Sequence, residues 1–536
     1  MFKLLSPATI REIEALADQN GISYAEMMQR AGRITAERAK SYLRTLPDRE
    51  PARVTVLVGP GNNGGDGLVA GLILAQETSA LVRFYLTSRR DETDPVFKPI
   101  LDAGLFHVIA EDDQRYRVLY QNIASAHLIL DALYGIGAQP PLRDEAVKLL
   151  RTIRSALREE APHPPVSTPV APQPAAPRPY ILAVDCPSGL NCDTGDIDPN
   201  TLNADETVTF IAPKPGLLTF PGAAAVGTLT ITSLGIPDDF KPLKAARDFV
   251  VGSSYVREHL PPRPVDSHKG TFGSALVLGG SAHYIGAPGL SAQSIYRTGA
   301  GLVAVGSIPR VISALAGHLL EPIWLPLEEA DGAIAATSAE ALRAEIGQYS
   351  TLLLGPGIGR AEGTRDLITD LLSPTLTPLV IDADALNLLA DIPNWHASLP
   401  ANTILTPHPG EMARLCQIDT KDVQSNRWSL AREKAAAWNC VIVVKGAHTV
   451  VAAPDGRLAV LPFKNSALAT AGTGDVLAGI VTGLVTQGIK PFEAAVCGAY
   501  VHGLAGEYAV EQVGSGRAVI ASDVLAALPR ALAAVE

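Results

Sequence analysis

Residues 53–76 read RVTVLVGPGNNGGDGLVAGLILAQ, and the fold class of the first half of the chain turns on them. RVTVLV (53–58) is a β-branched apolar run of strand length, GPGNNGG is a glycine-rich turn, and LVAGLILAQ carries the apolar content of a buried helix. A strand feeding such a turn and then a helix opens a parallel βαβ unit. Further strands are expected at LVRFYL (81–86) and AHLILDAL (126–133), giving a parallel sheet with helices on both faces. Two amphipathic helices precede it. Ser6 before Pro7 starts one, with Ile10, Ile13 and Leu16 on one face, and Ser23 with Glu26 forms a capping box for the second.

The 536 residues amount to three or four domains at about 150 residues each, or to two large α/β domains. A hydrophobic share of 47% supports large cores. The formal net charge of −11 has the wrong sign for binding nucleic acid or an anionic membrane through bulk charge, so neither partner is expected. The cysteines at 186, 192, 416, 440 and 497 form no CxxC pair, which points to a reducing compartment and assigns them no role. MFKLLSPATIREIEALADQ meets charge within three residues, and the longest stretch free of Asp, Glu, Lys and Arg, 270–296, is broken by Gly, Ser, His, Gln and Pro. A soluble, cytoplasmic protein is expected.

APHPPVSTPVAPQPAAPRP (161–179) predicts an exposed, extended insertion. It falls inside the first domain, because YILAVDCPSGL (180–190) continues the same sheet. Proline clusters again between SLGIPDDF (233–240) and PPRPVDSHKG (261–270), and there the βα rhythm restarts. The expected division is therefore a first domain over 1–240, a linker over 241–260 and a larger α/β domain over 261–536. In the latter, strands are expected at ALVLGG (275–280), LVAVGS (302–307), TLLLGPG (351–357), PLVIDADAL (378–386), NTILTPHPG (402–410) and VIVVKG (441–446), with a helix over 287–300.

Gly59-Pro-Gly61-Asn-Asn-Gly64 satisfies GxGxxG between a strand and a helix, yet the next strand ends in Leu86-Thr-Ser-Arg-Arg, without the carboxylate a dinucleotide ribose needs. Asp66 within the segment would repel a phosphate unless a cation intervened. Asn62, Asn63 and Asp66 point instead to a metal ion and a polyhydroxylated ligand held by oxygen atoms. Asp131 (DALYG) and Asp185 to Gly189 (DCPSG) end strands that deliver further oxygens to the same sheet edge. Taken singly, each is a good turn; taken together, they make a site.

In the second half, Ala471-Gly-Thr-Gly474-Asp475 leads into a helix through VLAGIVTGLV. The glycines let backbone N–H groups approach a phosphate at a helix N-terminus, and Asp475 stands where it can take a proton from an attacking hydroxyl. No GxxxxGK[ST] occurs, which excludes P-loop chemistry. Three further strand ends carry polar groups: Gly355-Pro-Gly357-Ile-Gly359, Thr406-Pro-His408-Pro-Gly-Glu411 and Lys445-Gly-Ala-His-Thr449. His408 between two prolines is as consistent with a shaped turn as with a ligand contact, whereas Lys445 at the end of an apolar strand suits a phosphate.

These motifs together resemble the bifunctional NAD(P)H-hydrate repair enzymes, in which an NAD(P)H-hydrate epimerase domain is followed by an ADP-dependent NAD(P)H-hydrate dehydratase of the ribokinase-like superfamily. GPGNNGGDGLVA, DALYGIG, DCPSGLNCDTG and TVTFIAPKPGLLTFPGA resemble the epimerase pattern. HKGTFGSALVLGGS, YIGAPGLSA, RTGAGLV, GPGIG, VIDADALNLL, ILTPHPGEMARL, VVKGAHTVVA and ATAGTGDVLAG resemble the dehydratase pattern. The resemblance implies two three-layer α/β domains, the first Rossmann-like and the second ribokinase-like. Carried onto this chain, it implies that Asn62, Asn63, Gly64, Gly65 and Asp66 bind the hydrated nucleotide. Gly135, Ile136, Gly137, Ala138, Gln139 and Asp185 touch the same substrate, and Asp185 is the acid/base candidate. Asn63, Asp131 and Ser188 are implied as ligands of K⁺. In the second domain Ala287, Gly357, His408 and Asp475 line the substrate site with Asp475 as catalytic base, while Lys445, Gly446, Ala447, His448, Thr449 and Gly474 hold ADP with Mg²⁺. The implied partners are NADHX, NADPHX and ADP, in a homo-oligomer. Two departures stand out: Tyr134-Gly-Ile136-Gly where the family has Phe-Gly-Thr-Gly, and Asn191-Cys-Asp where it has Asp-Ala-Asp.

Three other readings compete. A kinase for a sugar or hydroxymethylpyrimidine-like alcohol would use the same Asp475 and leave a stable phosphorylated product. A non-catalytic first domain would have no need of Asp66, Asp131 and Asp185. An NAD(P)-dependent oxidoreductase conflicts with Asp66 and the missing ribose carboxylate.

Overall fold

The computed structural model describes residues 1–47, 50–159, 178–373, 377–401 and 403–536. Nearly all of the Pro-rich insertion 161–179 lies outside the described residues. The chain divides into two compact units, Lys3–Ala246 and Arg247–Glu536, the second including Met1 and Phe2.

The N-terminal unit opens with helices Pro7–Gln19 and Tyr24–Leu43, started by Ser6 and Ser23 as the sequence predicts, although the Glu26 side chain pairs with Arg30 and does not complete the capping box. Ser6 Oγ accepts from the Thr9 N–H and Ser23 Oγ from the Glu26 N–H, both at 3.2 Å. Seven parallel strands follow, in spatial order His107–Ile109, Leu81–Leu86, Arg53–Val58, Leu128–Ala132, Tyr180–Val184, Glu206–Phe210, Thr228–Thr232. Alternate residues of the central strands join different apolar clusters. Val54, Val56, Val58, Leu128 and Leu130 pack in one, and Leu57, Ile129, Ile181 and Ala183 in the other. Both faces are covered, which makes three layers.

Chain order reverses between Arg53–Val58 and Leu128–Ala132, and a crevice at such a switch point is where open α/β sheets bind ligands. The segment GPGNNGG departs from the predicted turn, because the helix Asn62–Glu77 already contains Asn62 to Asp66. Its glycines answer to packing. A β-carbon on Gly64 would lie 2.1 Å from the Gly59 carbonyl oxygen, and one on Gly65 2.7 Å from Met28 Sδ.

The C-terminal unit holds an eleven-stranded sheet with the central order Val441–Val444, Ile404–Leu405, Leu379–Ile381, Thr351–Leu354, Ser274–Leu278, Leu302–Ser307, Ile323–Pro326, all parallel. Val450–Ala452 and Leu458–Val460 add antiparallel strands beyond Val441–Val444. Again the two faces separate: Ala275, Val277, Leu353 and Val380 belong to one cluster, Leu276, Leu278, Leu352, Leu354 and Ile381 to the other. The switch point lies between Ser274–Leu278 and Thr351–Leu354.

Two expectations are corrected by the fold. The strands read over 378–386 and 402–410 end at Ile381 and Leu405, because Asp384–Leu389 and Pro409–Cys416 are helices that begin with site residues. The stretch 241–260, read as a linker, is folded: helix Lys241–Ala245, strand Asp248–Val250 paired in parallel with Leu458–Val460, and helix Ser253–His259. Phe249, Val251, Tyr255 and Val256 enter the C-terminal core, an apolar run that a solvated linker would not carry. Among the described residues no helix is long and apolar enough to cross a membrane.

Candidate functional site

At the switch point of the N-terminal unit a cavity of about 870 Å³ is lined by Asn62, Asn63, Asp66, Gly135, Ile136 and Asp185, together with Glu14 and Lys214. Six of the sequence-predicted residues therefore converge. Gly64, Gly65, Gly137, Ala138 and Gln139 do not line it. The Ala138 N–H donates to the Gly135 carbonyl at 3.0 Å, and Gln139 Oε1 accepts from Asn191 Nδ2 at 3.2 Å, so these residues shape the loop that presents Gly135 and Ile136.

Asp131 is fully buried at the end of its strand and locks onto Ser188. Its Oδ1 accepts from Ser188 Oγ at 2.6 Å and its Oδ2 from the Ser188 N–H at 2.9 Å, while Ser188 Oγ accepts from the Tyr134 N–H at 3.0 Å. Burial raises the Asp131 carboxyl above its ordinary range and these hydrogen bonds pull it back. The Asn63 carboxamide is buried against Gly135, with neither its oxygen nor its nitrogen hydrogen-bonded among the described residues. Gly59 makes the crossing possible: a β-carbon there would lie 1.7 Å from the Leu133 carbonyl oxygen. Gly59→Ala is therefore expected to destabilise the N-terminal unit by about 3 kcal/mol or more, read as a lowered melting transition, because two backbones and no flexible side chain must give.

Asp185 sits in the left-handed region, φ 65°, with its carboxylate on the fully buried Lys214. Lys214 Nζ lies 2.5 Å from Asp185 Oδ1 and also donates to Thr209 Oγ1 at 2.8 Å and to the Phe210 carbonyl at 3.1 Å. Asp66 is pushed well above the usual carboxylate range, by burial first and then by the charges of Asp185 and Glu14, with Lys214 opposing. Burial, followed by Asp185, raises Glu14 as well. The cavity thus sets carboxyls inclined to hold protons beside one carboxylate that is ion-paired. Sequence reasoning passed over Lys214 and Glu14. Lys214 follows an apolar strand between two prolines, and Glu14 falls one turn after Ile10 on the buried helix face; in both places a charge is costly unless something pairs with it or uses it.

In the C-terminal unit, two strand ends and a helix start bring together Asp382, Lys445, Gly474 and Asp475. Lys445 Nζ lies 2.7 Å from Asp382 Oδ1 and 3.7 Å from Glu411 Oε2. A β-carbon on Gly474 would lie 3.4 Å from Lys445 Nζ, so the glycine leaves the ammonium open toward the start of helix Thr473–Thr486. Burial works against the charge of Lys445, but Asp382, Glu411 and Asp475 outweigh it and raise its pKa. Asp475, in the first helical turn, is raised to about 7 by burial and by the carboxylate of Asp382, with Lys445 opposing. Glu411 is likewise raised to about 7, chiefly by burial.

His408 caps helix Pro409–Cys416: its Nδ1 accepts from the Gly410 N–H at 3.0 Å, and Glu411 Oε2 accepts from the His408 N–H at 2.8 Å. Burial first, then Lys445, lower its pKa, and its Nε2 lies 3.3 Å from Glu411 Oε1. At the switch point Gly357, φ 60°, approaches Ala287 so closely that a β-carbon would lie 3.1 Å from that of Ala287. The segment after Lys445 is braced by Arg427, which donates to the Ala447 and Val444 carbonyls, each at 2.9 Å. Thr449 Oγ1 donates to the Gly446 carbonyl at 2.8 Å. The His448 ring engages the Leu461 carbonyl at 3.0 Å and burial lowers it to about 4, so it props the strand end from within. Asp382 and Arg427 were not singled out from sequence, and Glu411, noted only as a polar group at a strand end, was given no role, although VIDADALNLL and HPGE contain the two acids.

Residues 275–530 match the family model described as NAD(P)H-hydrate dehydratase, and residues 24–216 match the model described as YjeF-related protein N-terminus. The bifunctional NAD(P)H-hydrate repair enzyme Nnr of Moorella thermoacetica is 34% identical over 544 residues, covering 99% of this chain and 97% of that protein. Its counterpart from Escherichia coli is 32% identical over 517 residues, covering 96% and 90%. Among solved structures, the ADP/ATP-dependent NAD(P)H-hydrate dehydratase of Bacillus subtilis, co-crystallised with ATP and Mg²⁺, is 33% identical and covers 53% of this chain and 98% of that one, with a TM-score of 0.47. Identity of this extent over both units settles the matter: the chain belongs to the family of bifunctional NAD(P)H-hydrate repair enzymes.

Proposed function

We propose that the C-terminal unit converts the S-hydrate of NADH or NADPH back to the dinucleotide at the expense of ADP, and that the N-terminal unit interconverts the R- and S-hydrates so that both are repaired. The observation that carries the reading is Asp475, a carboxyl poised at about 7 at the head of a glycine-led helix and facing a lysine. Asp475 takes the proton of the ring hydroxyl, whose oxygen attacks the β-phosphorus of ADP as AMP departs. The Gly472 to Gly474 amides and Lys445 stabilise the charge on the moving phosphoryl group. Phosphate then leaves the ring carbon, pushed by the ring nitrogen's lone pair, and loss of a proton from the neighbouring carbon restores the dihydronicotinamide. Lys445, Gly446, Ala447 and Thr449 are the proposed nucleotide contacts, with Ala287, Gly357 and His408 on the substrate side. Mg²⁺ bound with the nucleotide would neutralise phosphate charge, and Asp382 and Glu411, which now face Lys445, would offer it hard oxygen ligands.

In the N-terminal unit the proposed exchange needs one acid and one base. Asp66, whose pKa burial raises, donates to the hydroxyl of the hydrate, water departs, and the nitrogen lone pair forms a planar cation. Water returns to the opposite face, giving its proton to Asp185. Asn62, Gly135 and Ile136 line the substrate. Asn63, Asp131 and Ser188 are proposed to hold K⁺, supported by the unpartnered Asn63 carboxamide beside an oxygen-rich strand end. The ion would balance the negative charge of a dinucleotide brought close to these carboxyls.

An absorbance time course at the dihydronicotinamide band, starting from mixed R- and S-NADHX with ADP, Mg²⁺ and K⁺, tests the whole scheme. Recovery of both epimers is expected. A stable phosphorylated alcohol without dihydronicotinamide would overturn it in favour of a kinase. Epimerisation is further expected to depend on K⁺, and Asn63→Ala to raise the K⁺ concentration for half-maximal epimerisation about tenfold, which corresponds to about 1.4 kcal/mol for the loss of one oxygen ligand. Dehydration of pure S-NADHX should not change, and an unaltered K⁺ response would remove Asn63 from the ion site.

A further inference from the structure

A second cavity, of about 350 Å³, lies in the C-terminal unit, and the polar side chains lining it are Arg360, Asn387, Asp391, Arg414 and Gln417. Three segments frame it, and each also carries part of the site around Lys445. Gly357 to Gly359 lead into Arg360, helix Asp384–Leu389 follows Asp382 and holds Asn387, and helix Pro409–Cys416, capped by His408 and containing Glu411, holds Arg414. Arg414 stands about 9 Å along that helix from His408. Both guanidiniums are fixed from behind by buried groups. Arg360 Nε lies 2.7 Å from Asp384 Oδ1, and Asp384 Oδ2 accepts from the Gly359 N–H at 3.2 Å. Arg414 Nη1 donates to Asn387 Oδ1 at 2.6 Å, and Asn387 Nδ2 donates to the Ala383 carbonyl at 3.1 Å. Asp384 is 8% exposed and Asn387 7%. The anchor of Arg414 is a neutral amide, and among the described residues this arginine forms no ion pair. Each guanidinium gives one N–H to its anchor, which leaves the others of the fork for an acceptor in the cavity. After burial and Lys445, Arg414 and Arg360 both act to lower His408, so their charges are felt on the substrate side of the site.

We propose that this cavity binds a phosphate group of the dinucleotide hydrate, beyond the ring that meets Asp475, with Arg360 and Arg414 as the donors. The proposal rests on the reading of this unit as an NAD(P)H-hydrate dehydratase. Both hydrates carry a pyrophosphate and NADPHX alone a 2′-phosphate, charges that the nucleotide contacts after Lys445 leave unmet. A planar guanidinium held at one edge presents its remaining N–H groups to two oxygens of one phosphate, which a lysine in the same place would not do. Asp391 offsets one of the two positive charges, and with Gln417 it offers acceptors to a ribose hydroxyl.

The test measures KM and kcat for S-NADHX, S-NADPHX and ADP, and the affinity for NADPH by calorimetry, for the full chain with Arg360→Met, Arg414→Met and Arg414→Lys. Methionine keeps an unbranched stem without the charge. Each methionine variant should raise the KM for S-NADPHX and weaken NADPH binding about tenfold, the scale of one charge-assisted hydrogen bond, while the KM for ADP stays within about twofold. Arg414→Lys should recover part of the loss, because it restores the charge without the fork. An equal rise for S-NADHX places the pyrophosphate in the cavity and a rise confined to S-NADPHX places the 2′-phosphate there; either supports the proposal. An unchanged KM for both hydrates overturns it, as does a rise shared equally with ADP. Absence of turnover of both hydrates by the wild type would instead defeat the dehydratase reading. The NADPH affinities would still decide the cavity, since equal values in wild type and variants, or no binding by the wild type, overturn the proposal.

Discussion

Asp475→Asn is expected to lower ADP-dependent recovery of NADH from S-NADHX by about 10²–10⁴, the usual worth of a general base, while R/S interconversion in the N-terminal unit continues. The asparagine keeps the size and a hydrogen-bonding oxygen but cannot take a proton, so the KM for ADP should change little and the loss should appear in kcat. The wild-type pH profile supplies a second check. Asp475 must be ionised to act, and its pKa is raised to about 7, so kcat/KM should climb through pH 6–8 and level above it. The sign for stability is opposite. A carboxyl whose folded pKa of about 7 exceeds its ordinary 3.8 binds more protons when folded, so its contribution to stability falls as pH rises from about 4 to 7. Asp475→Asn should therefore melt higher than the wild type at pH 8 and gain much less near pH 4. A variant with wild-type kcat, or with no such pH-dependent gain, would remove Asp475 from the proton transfer.

The strands and the helices between them were legible in the sequence because their signals are local: RVTVLV, ALVLGG and VIVVKG are buried on both faces and read as unbroken apolar runs. The strands at 378–386 and 402–410 were read too long for the same reason, since a helix that starts with site residues and continues through buried apolar ones, Asp384–Leu389, looks like more strand. In the site, the residues that stand in motifs at strand ends were found, and those that gain meaning only from tertiary neighbours were not. Asp185 could be named from DCPSG. That its partner is a lysine 29 residues later with no exposed surface depends on adjacent parallel strands ending at the same level, which one-dimensional spacing does not contain. Asp382 and Glu411 likewise become parts of one cluster only when two neighbouring strand ends meet Lys445.

Lys214 and Asp185 should reveal their roles when altered separately and together. Lys214→Met leaves the Asp185 carboxylate without its cation, and Asp185→Asn leaves a buried ammonium with only Thr209 and the Phe210 carbonyl to face. Breaking a buried pair from one side costs about 3–5 kcal/mol, because the remaining charge is uncompensated. Each single variant should therefore lower the melting transition of the N-terminal unit and abolish epimerisation, with R-NADHX persisting in the assay while S-NADHX is still consumed. The double variant removes both charges, so most of the lost stability should return without epimerisation, a non-additivity that isolates the pair. If the double variant regained epimerisation, the carboxylate would be structural and the proton chemistry would belong to Asp66 and Glu14 alone. If stability did not return, the space around Lys214 would be packed for its hydrocarbon stem, and the loss in the single variants would reflect shape and not charge.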